Sequence, residues 1–116
     1  MIPGGPRERL LGIFDLLAEW FARDDYYGCA FMNAVAEHRN RDEALLQATL
    51  RHKSHVIEQI RALAAAGAAD PGRVAGQIDL LMDGAIVKSM IKKNAGPARE
   101  AKEMAAMLMA RELTGP

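Results

Sequence analysis

Tyr27-Gly28-Cys29-Ala30-Phe31-Met32-Asn33-Ala34-Val35-Ala36-Glu37-His38 is a short and almost wholly apolar run. Asp24 and Asp25 precede it, and two long amphipathic runs follow. A helix without a solvated face has to be enclosed by other helices. The stretch therefore predicts a short helix over about 29–39, held inside a bundle. Its one polar strip is Cys29, Asn33 and Glu37, which recur at four-residue spacing.

Outward from this segment, periodicity and punctuation mark four more helices. The first is expected over about 7–22, opened by Pro6 where a missing N–H costs little. Leu10, Leu11, Phe14, Leu17, Ala18 and Phe21 form one face, widened by Ile13, Leu16 and Trp20, so it should be covered on more than one side. The next spans about 42–66, with Leu45, Ala48, Thr49, His52, Val56, Gln59, Ile60 and Leu63 inward and Gly67 as its C-cap. Asp70 and Pro71 open another as N-cap and first helical residue. It runs to about 95, where Asn94, Gly96 and Pro97 stop it. The last covers about 97–113. Residues 1–6 form a flexible lead-in, and 7–116 form one domain.

Composition agrees with an all-α chain. Half of the 116 residues are apolar, while aromatic residues make up only 5%. Ala, Leu and Met are abundant and β-branched residues few, which favours helix over sheet. Fifteen basic and fifteen acidic side chains cancel, so no general phosphate-binding surface is expected. With Cys29 as the single cysteine, an intrachain disulfide is excluded, and a reducing cytoplasm is the simplest setting. No apolar run approaches the ~20 residues of a membrane span.

The last two helices are apolar on two sides. The first of them carries Val74, Ile78, Leu81, Met82 and Ala85 on its main face and Leu80, Val87 and Ile91 on another. In the second, Ala101, Met104, Ala105 and Leu108 share a face, with Met107 and Ala110 elsewhere. One side can pack on the first three helices, and the other wants a partner. A homodimer closed by an intermolecular four-helix bundle satisfies both. Leu80, Val87, Ile91, Met104, Met107 and Leu108 are its expected interface.

Candidate chemistry is sparse. His52 and His55 stand one helical turn apart, a spacing that can grip a metal ion, with Cys29, Glu37 or His38 as a possible third ligand. No second paired motif accompanies them, so no metal or cofactor is expected. Cys29 lacks a His–acid partner and does not read as a nucleophile. His52 and Gln59 share a stripe, and such convergent polar groups in apolar walls are the pattern of a small-molecule pocket.

Residues 9–21 (RLLGIFDLLAEWF), 27–37 (YGCAFMNAVAE), Arg51-His52-Lys53 and 75–87 (AGQIDLLMDGAIV) follow one another in an order that resembles the C-terminal domain of TetR/AcrR-family transcriptional repressors. The resemblance implies an all-helical domain that holds a small-molecule inducer between its helices and dimerises through its last two. It also implies a regulator rather than an enzyme, and a fragment of a longer one. The family's N-terminal helix-turn-helix has no room here, so DNA would be read only through that missing domain. Helical faces put Trp20, Phe31, Asn33, His52, Gln59 and Met82 on the expected cavity wall. Two alternatives stay open: a small helical metal-binding or enzymatic bundle using His52, His55 and Cys29, and a pure dimerisation module without a cavity.

Overall fold

Glycine and proline set the first boundary. In the computed structural model, which describes residues 4–24, 26, 43–92 and 94–113, helix α1 spans Pro6–Phe21. Pro6 occupies its first turn, and the extended Gly5 accepts the Arg9 N–H at 3.0 Å. Gly4 has φ 105°, and a Cβ there would lie 2.9 Å from Glu8 Cβ. Only glycine fits that entry turn.

Helix α2 spans Glu43–Ala64, α3 Pro71–Lys92 and α4 Gly96–Glu112. Asp70 caps α3 as expected, its carboxylate accepting the Arg73 N–H at 3.2 Å. At the next turn the Asn94 side-chain carbonyl accepts the Gly96 N–H at 2.8 Å, and Pro97 follows inside α4. Helix α2 ends earlier than Gly67. The Gly67 and Ala68 N–H groups both return to the Ala64 carbonyl, and a positive φ is found among the described glycines only at Gly4. Gly67 therefore closes a tight turn and is not a left-handed cap. An antiparallel bridge between Ala68 and Leu113 ties this turn to the end of α4.

Among the described residues there are four helices and no strand. The short helix expected over about 29–39 lies outside them. Helix α3 packs against α4, α2 and α1, while α1 also contacts α4 and α2. Leu10, Phe14, Leu17 and Phe21 bury the inner face of α1 against Ile60 and Ala64 of α2 and Val74, Ile78 and Ile86 of α3. The α4 contribution is Ala98, Ala101, Ala105 and Met109. Small side chains let α3 and α4 approach closely, and Met109 fills the space at their far end.

Behind α1 the aromatic residues gather. The Trp20 and Tyr26 rings meet edge-on with centroids 4.8 Å apart, and Phe21 stands 5.2 Å from Tyr26. The Tyr26 hydroxyl is hydrogen-bonded to Ser89 on α3, and both residues are buried. Ser89 spends its one proton on the Ile86 carbonyl at 2.6 Å, so Tyr26 is the donor. This bond ties the chain after α1 to the last turn of α3.

Phe14 and Leu16 lie on the same helix, 1% and 54% exposed respectively. Phe14→Ala should lower unfolding free energy by about 3–5 kcal/mol, and Leu16→Ala by under about 1 kcal/mol. Urea unfolding of the two variants checks this facing directly.

Candidate functional site

Ile13 of α1, Val56, Gln59, Ile60, Ala62 and Leu63 of α2, and Met82 of α3 line an open cavity of about 580 Å³. It falls in the size range of small-molecule sites. The α2 members recur every three to four residues, so one stripe of that helix forms the wall. Met82 reaches it from α3, on the opposite side of that helix from Leu80. All described lining residues are apolar except Gln59.

The expected wall residues are distributed unevenly. Gln59 and Met82 come together on the cavity. Trp20 is half-buried in the aromatic group with Phe21 and Tyr26, and is not among the cavity-lining residues. His52, expected on the inner face of α2, is exposed, as is His55. Phe31 and Asn33 lie outside the described residues, and so does Cys29. Among the described residues, no three His, Cys, Asp or Glu side chains group to hold a metal ion.

The inward polar residue of α2 is instead Lys53. Its ammonium donates to Asp79 Oδ1 at 2.6 Å and to Asp83 Oδ1 at 2.7 Å, both on α3. These carboxylates stand one turn apart on α3, and Asp83 follows the cavity-lining Met82 in sequence. The Asp79 side chain is 12% exposed and that of Lys53 28%. Burial is the largest single influence on Lys53 and opposes its charge. The hydrogen bonds to Asp79 and Asp83, with the attraction of both carboxylates, outweigh it and hold the ammonium above its ordinary value of 10.5. Sequence reasoning missed this cluster because a helical lysine is usually solvated and its partners lie 26 and 30 residues away. The available signal was the pair Asp79 and Asp83, two acids on one face of an otherwise apolar helix.

A second cleft lies between α3 and α4. Leu80, Leu81, Gly84, Ala85, Lys88, Pro97, Glu100, Ala101 and Met104 line about 160 Å³ there. A Cβ on Gly84 would meet nothing within 4 Å, so the helix backbone itself is open at that point. Around it the expected interface side chains stand in solvent: Leu80 is 72% exposed, Ile91 80% and Met107 74%, with Val87 and Met104 also above half. Leu108 differs, since it packs partly buried against the core.

The Lys53 cluster has a defined pH signature. A raised lysine pKa contributes stability that is fully present below 10.5 and is lost as pH climbs through the higher folded value. Lys53→Met should cost about 1–3 kcal/mol near neutral pH, because Asp79 loses its buried partner. Above pH 10.5 the gap between the two proteins should narrow. Urea titrations at neutral and alkaline pH measure both, and a gap that stays constant would count against the cluster.

No family profile matches the sequence, and neither does any curated protein. A solved structure does match. It is that of a TetR transcriptional regulator from Chloroflexus aurantiacus J-10-FL, with a TM-score of 0.79 over 96% of this chain at 21% identity. The match covers 61% of that regulator. At this identity the likeness is one of architecture, and the chain has a TetR-like all-helical fold.

Proposed function

We propose that this chain is the small-molecule-sensing and dimerisation part of a TetR-like transcriptional repressor. An inducer would enter the cavity between α1, α2 and α3. Two copies would pair through α3 and α4 in an intermolecular four-helix bundle. Operator DNA would be read through a helix-turn-helix on a segment outside this chain, in the cytoplasm. The formal net charge of zero supports a role for this part apart from DNA contact.

The observation that carries this reading is the two-sidedness of α3. Met82 faces the cavity, while Leu80, Val87 and Ile91 of the same helix are exposed. A stripe of large apolar side chains in solvent is the mark of an interface. The cavity favours a sensor over a pure dimerisation module, which would need no space between its helices. Among the described residues, no helix is long and apolar enough to cross a membrane. Inducer binding would shift the balance between two dimer shapes by having different affinity for each.

Sedimentation of the wild-type chain should give twice the chain mass of 12.6 kDa. Val87→Glu with Ile91→Glu should give single-chain mass while helix content, read by circular dichroism, stays the same. A wild-type chain that sediments as a monomer at high micromolar concentration would overturn the dimer.

A further inference from the structure

We infer that the cavity between α1, α2 and α3 takes a neutral, largely apolar molecule that carries one hydrogen-bonding group. The inference rests on the sensor reading and narrows it to a ligand class. An ion entering this open cavity would find no counter-charge among the described lining residues, and any water it shed against the apolar wall would go unreplaced. That loss is large when no partner replaces the water. The nearest charged groups, Lys53, Asp79 and Asp83, do not line the cavity and hydrogen-bond to one another. Recruiting any of them would break the cluster that joins α2 to α3.

Among the described lining residues, Gln59 supplies the single polar contact. Its carboxamide both donates and accepts, so it matches a hydroxyl or carbonyl and has no preference for either sign of charge. The rest of the described wall is aliphatic or thioether. Met82 can change rotamer to fit an irregular apolar body, and the aliphatic α2 stripe suits an extended alkyl or alicyclic one. With about 580 Å³ to fill, the molecule is of small-metabolite size and is smaller than a peptide.

Three probes with one tail and different heads test this: decanol, decanoate and decylammonium, each below its micelle-forming concentration at neutral pH. Isothermal titration calorimetry on the full chain should show decanol binding at least about tenfold more tightly than either ion. Gln59→Leu should weaken decanol roughly three- to tenfold, because Gln59 is exposed and its loss leaves the fold intact. Met82→Trp should fill the cavity and remove most of the binding, with circular dichroism checking that the helices persist. An ion that binds as tightly as decanol would overturn the ligand class and leave the sensor cavity standing. Absence of binding by all three would overturn the sensor reading itself. Decanol binding unchanged in both variants would overturn the assignment to this cavity.

Discussion

Helix α3 has more apolar surface than one bundle can cover, and the rest of the molecule is arranged around that excess. Val74, Ala75, Ile78, Ala85 and Ile86 are buried among the other three helices. The same helix leaves Leu80, Val87 and Ile91 in water. Each of these would gain about 1.5–3 kcal/mol from full burial, so several such side chains along one stripe form a strong drive toward association. Gly84 sits within that stripe and removes the side chain that would otherwise hold a neighbouring helix away.

The polar groups inside the fold act as fasteners on this central helix. Lys53 attaches α2 to Asp79 and Asp83, and Tyr26 attaches the chain that follows α1 to Ser89. Both contacts join positions far apart in sequence, and both end on α3. The helix is thus held at two points from the cavity side while its outer face stays available. On the proposed function, Met82 and Leu80 lie on opposite sides of one rigid element. A ligand that moves α3 by a fraction of a helical turn would then alter the pairing surface without any intermediate relay.

Much of this was legible in the residues. Pro6, Asp70-Pro71 and Asn94-Gly96-Pro97 mark helix ends because proline and capping side chains act locally, and the structure keeps those boundaries. The excess apolar surface on α3 and α4 followed from periodicity alone, since exposure depends on helical face. What stayed hidden depends on register between helices. His52 and Lys53 are adjacent on α2, and a rotation of about 100° decides which one points inward; the histidine was expected and the lysine is observed. Leu108, expected at the interface, packs partly against the core beside Ala101, Ala105 and Met109. Of the expected cavity residues, Gln59 and Met82 meet across two helices, whereas Trp20 was drawn into an aromatic group with Tyr26, a partner that no periodicity within α1 can foresee.

The central claim is that one helix separates a ligand cavity from a pairing surface, and the methionines report on both sides of it. Met82 lines the cavity, Met104 and Met107 stand in the exposed stripe, and Met109 is fully buried. Nuclear magnetic resonance of a methyl-labelled sample can follow each methyl group during dilution and during addition of decanol. The account predicts that the Met104 and Met107 signals move with protein concentration, that Met82 moves with decanol, and that Met109 stays near its place on dilution. Met104 and Met107 signals that ignore concentration, together with a Met82 signal that ignores decanol, would contradict it.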